Sequence, residues 1–349
     1  MKVGLSCIIT PREWSFDELL KNAAAAGYEA LELVITDEGE ITLDTPACEL
    51  EKLAARAADA GIELSSICPS FRNVPKDIMT NDWPTRSQSM DNIKKALDVA
   101  KALGIDTMLL TLGALTPDLY YNQAYANSLQ CMQKLAPYAE ELDVNLAIEY
   151  VWNKFLLSPM EFARFCDEVA SPKVGLFFDT GNMVVFGYPE HWVRICGKHL
   201  MKVHLKDFKR QGYAWTPLME GDVNFAAVMA ELRKIGYDGA LLSEVAPSIE
   251  ITISPCFAAS AASMSAASPG SPPAPEGPST TMSVAGSGSR TSVASSSSAP
   301  CGASSTRTTT AVMLSGPPAR RASATRRSAA AWGSLRVSAT RMTSSGTSK

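Results

Sequence analysis

Eight short apolar runs recur through the first 250 residues: KVGLSCII, ALELVI, IELSSICP, TMLLTLG, NLAIEY, VGLFFD, MKVHLKD and GALLSEV. Each has strand length and enough apolar character to predict a strand buried on both faces. Amphipathic stretches separate them at 15–27, 46–60, 85–103, 121–142, 158–169, 189–198 and 224–235, and these predict helices. The punctuation agrees. Ser15 and Asn224 stand where helix N-caps belong, and Gly27, Gly61, Gly104 and Gly236 follow helix ends. Buried strands separated by single helices predict parallel pairing. Eight such units in about 250 residues predict an α/β fold of the (β/α)8 TIM barrel type. The competing architecture is an open doubly wound sheet, whose first strand should lead into a glycine-rich phosphate turn; CIITPREWS offers none.

The pattern stops after LLSEVAPSIE, so the eighth helix of the barrel is missing from the expected order. Residues 251–349 are rich in Ser, Ala, Thr, Pro and Arg and have little apolar periodicity. Such a composition cannot bury enough surface to offset chain entropy, and a disordered low-complexity tail is expected. The tail carries nine Lys or Arg against one acid, Glu276, so the net charge of −4 conceals an acidic first region and a basic second one. Three readings are open for it: a native tail, a basic arm drawn to nucleic acid or membrane, and an out-of-frame translation of a GC-rich gene. The bases are too dilute for a nucleic-acid surface. The abrupt change inside a structural unit favours the third reading.

Two further features narrow the class. No apolar stretch approaches the roughly 18 residues of a membrane span, and MKVGLSCII lacks the regions of a secretion signal, so a cytoplasmic protein without a membrane partner is expected. The eight cysteines occur singly, without CxxC pairs, which predicts buried reduced thiols.

In a barrel of this kind the residues at the C-terminal ends of the strands line the active site. Strand five ends on Glu149, strand six on Asp179, strand seven carries His204, and strand eight ends on Glu244. Three carboxylates aimed into one mouth repel one another unless a positive charge sits among them, and a divalent metal resolves that conflict. Oxygen ligands with one imidazole suit Mn²⁺ first, with Mg²⁺ and Co²⁺ as alternatives. The chain has two other histidines, His191 and His199, which precede strand seven and are expected at the surface. Lys206, Lys209 and Arg210 follow strand seven, and Gly221 precedes the helix capped by Asn224. Together they suggest a phosphate site at the last loops, because helix N-terminal amides in that position bind anions. Trp14, Phe71, Trp83, Trp152 and Phe186 fall near loop starts and are candidates for an apolar rim.

The segments IEYVWNKF, FFDTGNM, KVHLKDFKR, EGDVNF and LLSEV, in that order and spacing, resemble the xylose-isomerase-like barrel superfamily. The likeness is to its sugar phosphate isomerase/epimerase branch, which includes D-tagatose 3-epimerase, L-ribulose-5-phosphate 3-epimerase and hexulose-6-phosphate isomerase. It covers about residues 1–250. The resemblance implies that Glu149, Asp179, His204 and Glu244 are metal ligands, that Glu149 and Glu244 are also the acid/base pair, and that Arg210 contacts substrate. Free-sugar 3-epimerases usually carry histidine where this chain has Asn182 in DTGN, which points toward the phosphate-handling members. The expected activity is 3-epimerisation of a ketose or ketose phosphate through a cis-enediolate. The alternatives are aldose/ketose isomerisation, an inosose-type dehydration and an inactive frameshifted product. An endonuclease-IV-like repair enzyme is excluded, because three histidines cannot supply its three-metal cluster. Dimers and tetramers are common in the resembling family, which suggests a homo-oligomer.

Overall fold

Local chemistry starts the first and last of the described helices where the polar pattern placed them. Ser15 accepts from the Glu18 amide at 3.3 Å while the Glu18 carboxylate accepts from the Ser15 amide at 2.9 Å, a reciprocal cap that opens α1, Phe16–Ala25. Asn224 accepts from the Ala227 amide and opens α8, Phe225–Lys234. Between them lie α2 (Ala47–Asp59), α3 (Trp83–Ala102), α4 (Tyr121–Leu142), α5 (Pro159–Val169), α6 (Thr180–Val184) and α7 (Pro189–Cys196). Gly27, Gly61, Gly104 and Gly236 all take positive φ beyond helix ends, where only a residue without Cβ is at ease.

The computed structural model describes residues 1–245. Eight parallel strands close into a barrel: β1 (Val3–Ser6), β2 (Ala30–Ile35), β3 (Glu63–Pro69), β4 (Thr107–Leu110), β5 (Asn145–Glu149), β6 (Val174–Asp179), β7 (Leu200–Leu205) and β10 (Leu241–Ser243). The circuit runs β1-β2-β3-β4-β5-β6-β7-β10 and returns to β1. The expected barrel is therefore the observed one, and the open sheet is excluded. A small inner cluster of Ala30, Cys68, Leu109, Ala147, Phe177 and Leu242 fills the barrel, while the larger core lies between strands and helices.

Three elements escaped the sequence pattern. The five-residue α6 begins inside the DTGN motif, and a two-stranded antiparallel hairpin, β8 (Asp207–Lys209) with β9 (Ala214–Thr216), follows β7. Strands of three residues leave no periodicity to read. Cys7, Cys68, Cys131, Cys166 and Cys196 are buried free thiols as expected, but Cys48 is exposed. His191 is exposed, whereas His199 is largely covered and pairs with Asp167 at 3.0 Å. No helix among the described residues is long and apolar enough to cross a membrane. The missing eighth helix, the boundary at residue 250, the tail, Cys256 and Cys301 lie outside the described residues.

Candidate metal centre

Four consecutive strands deliver the four predicted residues to one end of the barrel. Glu149 closes β5, Asp179 closes β6, His204 lies in β7, and Glu244 follows β10. The register of β6 against β7 slips between Leu176 and Phe177, and the slip sets Asp179 level with His204. One ligand atom from each of the four lies within 4.8 Å of every other. His204 Nδ1 stands 3.1 Å from Glu244, 3.5 Å from Glu149 and 3.9 Å from Asp179.

The donor set fits a divalent ion on two observations. Among the described residues, His204 Nδ1 and Asp179 Oδ2 are buried and have charged neighbours but no hydrogen-bond partner, although buried polar atoms are ordinarily satisfied. Three carboxylates also converge on one space, Glu149 and Asp179 buried and Glu244 largely covered. Burial, with the Glu244 and Asp179 charges beside it, pushes the Glu149 carboxyl up to about 7 against the pull of the imidazole. Asp179 is likewise raised, chiefly by burial. Burial also acts to raise Glu244, but the His204 imidazole and the Lys206 ammonium outweigh it and hold that carboxyl down to about 2. The two glutamates are thus pushed apart in proton affinity.

Lys206 is placed by Thr180, whose hydroxyl donates to the Lys206 carbonyl at 2.6 Å and accepts from its amide at 2.9 Å. Its ammonium reaches Glu244 at 2.8 Å and Asp179 at 3.5 Å, and lies over the Trp215 ring. The carboxylates keep that ammonium protonated, outweighing the effect of its burial. Asn182 is buried, donates from its side-chain amide to Glu149 at 3.2 Å, and donates from its backbone to Asp179 at 2.6 Å. It therefore braces two of the acids.

The remaining candidates stand farther out. Arg210 donates to the Val184 and Gly187 carbonyls, both at 2.7 Å, which ties it to the end of α6. Lys209 is exposed in the hairpin. The amides of Gly221 and Val223 donate to the Asp207 carboxylate at 2.8 and 3.1 Å, so the donors expected for a phosphate at this loop are taken by the chain itself. Trp14 lines a cavity of about 640 Å³ among the loops after β1, β2 and β3, and none of the four converging residues is in its wall. Phe71 is core, and Trp83 and Phe186 are exposed. Trp152 does stand beside the centre. Its indole donates to the Asn182 carbonyl at 3.3 Å, and it stacks on Trp215 with centroids 5.0 Å apart. A cavity of about 160 Å³, lined in part by Lys206, Trp215 and Glu244, opens next to the acids.

Sequence reasoning missed Glu32. It sits inside the apolar run ALELVI, is 1 % exposed, and its carboxylate lies 2.9 Å from His204 Nε2. A lone acid in a strand buried on both faces was the available signal.

Comparison with known proteins places this geometry in context. The family model described as a xylose isomerase-like TIM barrel matches residues 20–257. An L-ribulose 3-epimerase of Methylomonas sp. is 28% identical over 257 residues, covering 70% of this chain and 84% of that protein. An L-ribulose-5-phosphate 3-epimerase of Salmonella paratyphi C is 26% identical over 237 residues, covering 65% of this chain and 81% of its own length. Among solved structures, a D-psicose 3-epimerase from Clostridium cellulolyticum H10, crystallised with D-tagatose, superposes with a TM-score of 0.60 at 17% identity, over 72% of this chain and 88% of that one.

Proposed function

We propose that this chain, which belongs to the xylose isomerase-like TIM barrel family, is a metal-dependent epimerase that inverts C3 of a ketose or ketose phosphate. The observation that carries the reading is the convergence of Glu149, Asp179, His204 and Glu244, with two of the buried polar atoms lacking hydrogen bonds. Ketose 3-epimerase activity among the relatives supports the reaction class.

Glu149, Asp179, His204 and Glu244 would hold the ion, Mn²⁺ by preference for this oxygen-rich set with one imidazole. When bound, it supplies Lewis-acid stabilisation of charge developing on the substrate's carbonyl and hydroxyl oxygens. The protein's own groups do the proton work. One glutamate takes the proton from the carbon beside the carbonyl, giving a cis-enediolate, and the other returns a proton to the opposite face, which inverts that carbon. Glu149 and Glu244 suit the task because they approach the centre from strands separated by β6 and β7.

Lys206, Trp14, Asn182, Lys209 and Arg210 belong to the same proposal as substrate-side groups. Lys206 is the nearest of the basic ones to the acids, and Asn182 acts by bracing Glu149 and Asp179. The catalytic unit in this proposal is residues 1–250, and the low-complexity sequence of 251–349 has no part in it.

The test is Glu244→Gln. The isosteric amide keeps the shape and loses the base, so hydrogen exchange into the ketose should stop while the thermal transition persists. Substantial residual turnover contradicts the two-glutamate scheme.

A further inference from the structure

Two serine hydroxyls donate to the Glu32 carboxylate, and a carboxylate can only accept. Its Oε1 receives the Ser6 hydroxyl at 2.6 Å and faces His204 Nε2 at 2.9 Å, and its Oε2 receives the Ser66 hydroxyl at 3.0 Å. Three of these residues are neighbours in the sheet: Ser6 pairs with Glu32, and Glu32 with Ser66, because a slip between Leu31 and Glu32 brings Ser66 and not Ser65 into register. The fourth, His204, reaches across from β7. A carboxylate with two hydroxyl donors already on it has nothing to give an imidazole nitrogen, so the hydrogen on that contact belongs to Nε2.

From this we infer that Glu32 is a positioning residue: it fixes His204 with the proton on Nε2, so that the Nδ1 lone pair is the one offered to the metal. The inference rests on the metal-dependent reading above and adds to it a residue outside the four converging side chains. Nδ1 is the nitrogen that faces Glu244, Glu149 and Asp179, and it is the one without a hydrogen bond. The Phe177 ring, 4.3 Å from the imidazole, supports the ring but does not choose between its nitrogens; among the described residues it is Glu32 that meets Nε2. Histidine ligands depend on such a partner on the distal nitrogen for orientation and basicity. A plain structural role, in which the pair merely joins β2 to β7 inside the barrel, predicts the same stability but no influence on the metal.

Two measurements separate these. The first uses wild-type protein with ¹⁵N-labelled histidine and Zn²⁺ as a diamagnetic probe; with three histidines in the chain the spectrum is readily assigned. His204 should show a hydrogen-bonded proton on Nε2 and a metal-shifted Nδ1. A metal-bound Nε2, or a proton on Nδ1, overturns the inference even if no variant folds. The second is calorimetry with Mn²⁺ on wild type and Glu32→Gln. The variant should bind about ten- to hundredfold more weakly, with the Nε2 proton signal moved or lost. Equal affinity with an unchanged signal overturns the positioning role and leaves the metal reading intact. Failure of wild type itself to take Mn²⁺ overturns the metal reading, and the inference falls with it.

Discussion

Replacing Lys206 by methionine removes the one lysine ammonium in contact with the acidic centre among the described residues while keeping most of the side-chain volume. Its Nζ lies 2.8 Å from Glu244 and 3.5 Å from Asp179. At an effective dielectric of about 20, the shorter contact alone corresponds to roughly 6 kcal/mol of attraction before desolvation of the ammonium is counted. Stripping one partner from a buried pair typically costs about 3–5 kcal/mol, because the other charge is left uncompensated. Lys206 is 16 % exposed, so the lower end, about 3 kcal/mol, is the figure to expect. For a domain of this size that corresponds to a fall in Tm of about 6–12 °C. The assay is thermal unfolding followed by circular dichroism, in EDTA and again in saturating Mn²⁺. In EDTA the variant should melt lower by that amount. With Mn²⁺ the gap should shrink to less than half, because a divalent ion takes over neutralisation of the same carboxylates and is itself repelled by the ammonium. An unchanged Tm in EDTA, or a gap indifferent to Mn²⁺, would refute the idea that Lys206 and the ion serve the same acids.

Other substitutions probe separate parts of the account. His204→Ala deletes the single nitrogen ligand and should weaken Mn²⁺ binding, measured calorimetrically, by more than the roughly ten- to hundredfold that loss of a supporting group costs; unchanged metal content contradicts its ligand role. Glu231 on α8 is held down to about 2 by Arg194 at 2.6 Å and Lys234 at 2.7 Å. Because its folded pKa is depressed, its contribution is full above the unfolded carboxyl value and disappears as pH falls toward 2. Glu231→Gln should therefore lower Tm by about 2–4 °C at pH 7, for roughly 1 kcal/mol from a pair with exposed cations. That difference should vanish near pH 2, and a constant one would place the effect in packing.

Much of this molecule was legible because a parallel barrel writes the same sentence eight times. Apolar runs such as VGLFFD and NLAIEY have no exposed face to disguise them, and caps such as Ser15 mark helix starts within a residue or two. The four converging residues were visible for a related reason: a polar group that closes an apolar strand can point only to the barrel mouth. What stayed hidden depends on contacts between distant segments. Glu32 reads as an interruption of ALELVI until β7 brings His204 against it. The amides before α8 read as an anion site until Asp207 folds back onto them. Trp215 lies in a hairpin too short for periodicity, so its stacking on Trp152 had no linear signature.

The central claim is metal-dependent proton transfer at C3 of a ketose. The most direct test is to incubate the Mn²⁺-loaded protein in D₂O with a panel of ketoses and ketose phosphates and to locate deuterium by NMR. The account predicts label at C3 of both epimers, abolished by EDTA and restored by Mn²⁺. Label confined to C1 or C2, or exchange at C3 that persists in EDTA, would contradict it.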